Sequence, residues 1–120
     1  MALATAHGEL RERHGFLVHI DEGTGEACPL PSLGTEDVAS CARALEATAE
    51  ALRRLPPPET VEDIRLPAPL DEAPAARHGI ELALLDLVAQ RRGVPVRALL
   101  TPRPADDVPV SALLNAREPA

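Results

Sequence analysis

"PAARHGIELALLDLVAQRRG", Pro74 to Gly93, is the clearest element of this 120-residue chain. Ala76, Ile80, Ala83, Leu84, Leu87 and Val88 recur at spacings of three and four, which predicts a helix with one broad apolar face. Leu82, Leu85 and Ala89 add a second apolar side, so only a narrow polar strip remains around Arg77, Glu81 and Gln90. Pro74 suits a first helical turn. Gly93 is the expected C-cap, and Pro95 seals the stop. A helix this apolar is expected to be buried between two layers. No partner of matching extent is evident elsewhere in the sequence.

Upstream, "GFLVHIDEGTGEAC" predicts a β-hairpin. Phe16, Val18 and Ile20 fall on one face by the two-residue period, and Leu17 and His19 on the other. Asp21, Glu22 and Gly23 supply the turn, and Thr24 to Cys28 the return strand. Pro29 to Gly34, "PLPSLG", reads as an ordered loop. Thr35 is the expected N-cap of the next helix, with Glu36 and Asp37 in its first turn. Val38, Cys41, Leu45, Thr48, Leu52 and Leu55 make its apolar stripe, and the triple proline Pro56 to Pro58 ends it. "ETVEDIRLPAPLDEA" is expected to hold one short helical turn and to be loop otherwise. "VRALL" reads as a short helix, "TPRPADD" as a linker, and Val108 to Leu114 as a strand. The sum is an α+β domain.

Composition removes several function classes. The net charge of −7 argues against nucleic acid, because phosphate binding needs a basic patch. One aromatic residue, Phe16, leaves nothing on which to stack bases. No basic amphipathic stretch suits a membrane surface, and the apolar run of the long helix is too short and too polar to span a bilayer. All 12 basic residues are arginine, so a Schiff base, a lysine general base or a P-loop lysine is ruled out within these residues. Two cysteines, Cys28 and Cys41, are too few for a secreted disulfide scaffold, and "MALATAHGELRERHG" lacks a signal-peptide pattern. A cytoplasmic protein is expected.

The remaining chemical groups read as structural. His7, His14 and His19 match no metal-ligand spacing. Glu26 reads as a strand residue anchoring loop backbone, and Asp21 with Glu22 as a turn. Gly23 to Gly25 lacks the following helix that phosphate binding requires. Asp106 and Asp107 are a solvated pair in the linker. Cys28 has no base beside it and reads as a small, buried residue.

Four stretches, taken in order, resemble one family. "TAHGELRERHGFLVHI" is similar to the start of the N-terminal domain of o-succinylbenzoate synthases, in the enolase superfamily. "GEACPLPSLGTED" resembles the segment that follows their first hairpin. "ARHGIELALLDLVAQRRGVPVRALL" is similar to the helix that closes the capping domain, and "VPVSALLNA" to the first strand of the (β/α) barrel. Dipeptide epimerases and muconate cycloisomerases share much of this pattern. The chain departs from it in a clipped hairpin at Gly23 to Glu26, in Ser111 where the family often has Asn, and in lacking the opening strand.

The resemblance implies a capping domain over residues 1–104, an antiparallel hairpin sheet plus helices. Residues 105–120 would be a linker and the first strand of a truncated barrel. It implies an N-terminal fragment of a lyase of menaquinone biosynthesis, inactive alone. The parent reaction is a Mg²⁺-dependent dehydration, with lysines and metal-binding carboxylates on later barrel strands; catalytic and metal-binding residues are therefore expected to be absent from this chain. The implied partners are the missing C-terminal barrel domain and, only in the complete enzyme, a small-molecule substrate, with no nucleic acid and no membrane. By position, two capping loops would face that substrate: Thr5, Ala6, His7 and Gly8, and Leu30, Pro31, Ser32 and Leu33. A dipeptide epimerase or muconate cycloisomerase is the enzymatic alternative, and a stand-alone interaction module the non-enzymatic one.

Overall fold

The computed structural model describes residues 12–111, together with the backbone of two short strands ahead of them. Those strands are β1 (Leu3–Thr5) and β2 (Gly8–Leu10), an antiparallel pair with Leu3 opposite Leu10 and Thr5 opposite Gly8. Next come β3 (Phe16–Ile20) and β4 (Gly23–Ala27), then α1 (Val38–Leu52), α2 (Pro74–Arg92) and α3 (Val96–Leu100). Single 3₁₀ turns stand at Pro31–Leu33, Val61–Asp63 and Ala68–Leu70. The α+β class expected from the sequence is the class observed. The β1–β2 pair was not expected.

The β3–β4 hairpin forms where the alternation places it, in the register Phe16↔Ala27 to Ile20↔Gly23. Asp21 takes a left-handed φ of 48° at the first turn position, as a tight two-residue hairpin turn requires. Val18 points inward and is buried, while Leu17 and His19 face solvent.

Why α2 lies on this hairpin is decided by the smallest residues of β4. Gly23, Gly25 and Ala27 alternate onto the inner face and are all buried. With no Cβ at Gly25, the backbone of α2 comes directly onto the strand: a methyl group there would overlap the Gly79 carbonyl oxygen and sit 2.9 Å from the Ala83 nitrogen. Larger residues in β4 would hold the helix away and open a gap that the aliphatic side chains cannot fill. The helix face read from the sequence is the one that is buried. Ala76, Ile80, Ala83, Leu84, Leu87 and Val88 are all covered by their own chain. Leu82 and Leu85 are half-buried. The expectation that this face finds no matching partner within the chain is corrected: β4 and β3 lie against the helix, and α1 and α3 also pack on it. Gly93 caps the helix with a φ of 66°.

α1 differs from expectation at both ends. Its N-cap is Asp37, whose Oδ1 accepts from Ser40 N at 2.7 Å, and not Thr35. That bond holds the Asp37 carboxyl below its ordinary value. Glu36 lies ahead of the helix rather than in its first turn. The buried stripe is Cys41, Ala44 and Thr48, with Leu45 and Leu52 half-buried; Val38 and Leu55 are exposed. α1 meets the core at two places, the 3₁₀ turn at Leu70 and α2 itself.

The segment between the helices is more ordered than read. Asp63 Oδ2 accepts from Thr60 N and Thr60 Oγ1 at 2.9 and 3.0 Å, which fixes the first turn. The second places Leu70 in the core. The strand expected over Val108 to Leu114 is absent over 108–111, where Val110 is 88% exposed. Pro109 has no N–H for a ladder, and no described strand lies beside it. The rest of that expected strand, 112–114, lies outside the described residues. No described helix is long and apolar enough to cross a membrane.

Candidate functional site

The candidate site is built on the turn between β4 and α1. Pro31 presets the backbone of a single 3₁₀ turn, in which Leu33 N donates to Leu30 O at 2.9 Å and Gly34 N to Pro31 O at 3.0 Å. Thr35 closes it from the other side. Its Oγ1 accepts from Leu30 N at 2.6 Å and donates to Glu36 O at 3.0 Å. At the entry, the Arg13 guanidinium donates to Cys28 O at 2.7 Å. The turn is thus held at each end. Its outward groups are Pro31, Ser32 and Leu33, and Leu33 is 59% exposed. Leu30 is half-buried beneath them.

Glu36 ties this turn to the core. Its two carboxylate oxygens accept from Ala75 N at 3.0 Å and Ala76 N at 2.8 Å, the free amides at the start of α2. Partial burial pushes its pKa up, but the hydrogen bonds from Ala75, Ala76, its own amide and the Cys41 thiol outweigh this and hold it below 4.5. Burial, with help from the Glu36 carboxylate, pushes the Cys41 thiol up to about 12, so Cys41 is no nucleophile at neutral pH. A carboxyl whose folded pKa is depressed stabilises the fold fully above its unfolded value, and that contribution is lost as pH falls through the folded one. Glu36→Gln is expected to cost about 1–2 kcal/mol at pH 7, because its amide cannot accept two N–H groups as strongly as a carboxylate does. The cost is expected to shrink below pH 4. Urea melts of both proteins at pH 7 and pH 3.5 check this, and an equal difference at the two values would refute the assignment.

The other sequence-read groups are placed as follows. Thr5 and Gly8 face each other across the β1–β2 pair, so Thr5 ends one strand and Gly8 begins the next. Ala6 and His7 lie outside the described residues. His14 sits 3.3 Å from Glu12 at the surface, and His19 Nδ1 lies 3.3 Å from Thr24 Oγ1 on the outer hairpin face. Glu26 is exposed on that same face, and Cys28 Sγ contacts His14 O at 3.7 Å. Asp21 and Glu22 both meet Arg91, at 3.2 and 3.3 Å, which makes them a latch to the end of α2. Asp106 meets Arg97 at 3.6 Å. Among the described residues, no group of three or more His, Cys, Asp or Glu side chains is arranged to hold a metal ion.

The sequence reading missed two features. Glu36 was placed in the wrong helix, since its partners lie 39 and 40 residues away and no local pattern marks them. A cleft of about 800 Å³ between the hairpin end, the end of α1 and the Pro56–Arg65 arm was also missed. Leu84 and Leu87 form its floor, and Arg53, Asp63 and Arg65 stand at its rim.

No family model, curated protein or solved structure matches this chain. The functional reading rests on the motifs and on the turn.

Proposed function

We propose that this chain is the capping domain of an o-succinylbenzoate synthase-like enzyme, closing over the mouth of a (β/α) barrel. The observation that carries the reading is the Pro31–Leu33 turn. It presents an exposed leucine on backbone locked at both ends, at the position where the family resemblance places a substrate-facing loop. Such a lip shapes a pocket and excludes water without ordering itself on each cycle. Its lock through Glu36 to α2 transmits the position of the core to the loop.

In this reading the chemistry belongs to the barrel. Abstraction of a proton beside a carboxylate and loss of water need an acid–base pair and Mg²⁺, which stabilises the enediolate when bound. With no lysine, these 120 residues cannot supply the family's pair. The resemblance assigns the Mg²⁺ site to carboxylates of the barrel.

Two measurements test this. The purified chain with Mg²⁺ and the family's substrate is expected to form no aromatic product; turnover would overturn the division of labour. Joined to the barrel of a family member in place of that enzyme's own capping domain, the chain is expected to support dehydration. Leu33→Asp is then expected to raise KM about tenfold with the helical spectrum unchanged. A folded hybrid indifferent to Leu33 would remove the turn from the substrate site.

A further inference from the structure

The cleft of about 800 Å³ between the hairpin end, the end of α1 and the Pro56–Arg65 arm has the size of a small-molecule site. Leu84 and Leu87 of α2 are its floor. Ile20, Leu52 and Ile64, each only partly buried on the core, leave apolar surface uncovered inside it. The arm that walls it holds its shape unaided. Pro56 and Pro57 each have φ fixed by their own ring and ψ held extended by the proline that follows, so this stretch is a polyproline segment by covalent geometry. Beyond it, the bonds from Thr60 to Asp63 close the next turn. A cavity with such walls loses little entropy when a ligand enters.

Most charged groups at the rim are already committed. Arg53 pairs with Glu50 at 2.9 Å, and Asp21 with Arg91 at 3.2 Å. Asp63 Oδ2 accepts from Glu59 N, Thr60 N and Thr60 Oγ1. Arg65 is placed differently. Its Nη1 donates to the carbonyl oxygens of Glu62 and Ile64, which hold the guanidinium in position without neutralising it. Among the described residues its Nε and Nη2 have no hydrogen-bond partner, and no carboxylate lies within ion-pair distance. That leaves one edge of a fixed fork open, the geometry that receives a carboxylate. Glu59 brings the opposing charge to the rim, but no described hydrogen bond holds its side chain, so engaging it costs rotamer entropy that Arg65 has already lost. We propose that the cleft binds a small carboxylic acid with a short apolar body, its carboxylate on Arg65 and its body over Leu84 and Leu87. The site shares no residue with the Pro31–Leu33 turn, so the inference is independent of the capping reading.

Hexanoate is the probe, with hexanol and hexylamine as partners of the same length. Titrated into the 120-residue chain and followed by methyl NMR spectra, hexanoate is expected to shift Ile64, Leu84 and Leu87 saturably, with a Kd of about 1 mM. Hexanol and hexylamine are expected to bind about tenfold more weakly. The comparison is stringent, because the net charge of −7 favours the amine over the rest of the surface. Arg65→Gln keeps an N–H group for the two carbonyls and removes the charge. It is expected to weaken hexanoate about tenfold and to leave hexanol unchanged. No saturable shift at those methyl groups overturns the proposal, as does a variant that binds hexanoate like the parent. Hexanol or hexylamine binding as tightly as hexanoate overturns it too, and that comparison is read in the parent protein if Arg65→Gln fails to fold.

Discussion

Gly25→Ala is expected to unfold the domain or lower its melting temperature by roughly 15 °C or more. The added methyl would point from the inner face of β4 into α2. It would overlap the carbonyl oxygen of Gly79 and lie 2.9 Å from the nitrogen of Ala83. Both are backbone atoms of a helix, so no side-chain rotation relieves the clash. The helix must lift, and lifting it loosens Val18, Ile80, Ala83 and Leu84 together, since these share one core. Overpacking of this kind costs about 3 kcal/mol. A small domain holds only some 5 kcal/mol in reserve. A thermal melt followed by circular dichroism measures the effect. A cooperative transition close to the parent's would mean that α2 does not rest on β4 at this point.

Leu70→Ala is expected to cost about 2–5 kcal/mol, the range for emptying a well-packed leucine site. Leu70 is among the largest fully buried side chains, yet it sits outside both long helices, on the single turn Ala68–Leu70. Pro67 and Pro69 precede it and give the turn little freedom to collapse into the space left behind. Cys41 and Ala44 of α1, with Ala76 and Ile80 of α2, belong to the same cluster. The turn is therefore one of two pieces, with α2, through which α1 joins the core. Urea unfolding is expected to show a lower midpoint with an unchanged slope. A shift worth less than about 0.5 kcal/mol would show the segment to be the loop that its sequence suggests.

These two sites mark where sequence reading stopped. Gly25 was legible as a turn-rich strand residue, but not as the seat of a helix backbone, because that depends on Gly79 and Ala83, more than fifty residues away. Leu70 stood in a stretch whose prolines hide any period. The candidate site was legible in outline. "PLPSLG" announced an ordered loop, and the structure holds Leu33 outward on it. The locks were not legible: Thr35 looked like a helix cap and is a turn closure, and Glu36 looked like a first-turn acid and caps a different helix. Each residue type suits both roles, since Ser, Thr, Asp and Glu bond free backbone amides wherever these are presented.

From the sequence alone came the hairpin, the face of α2, its stop at Gly93 and the all-aliphatic character of the core. Those follow from periodicities of two and 3.6 residues and from backbone restrictions at Gly and Pro, which act over a few residues. Tertiary structure decided the direct contact of α2 with β4, the packing of α1 on α2 and on the turn at Leu70, and the Glu36 lock. Each depends on which distant backbone groups are brought within reach and which are left over, and that is a property of the packed chain rather than of any stretch within it.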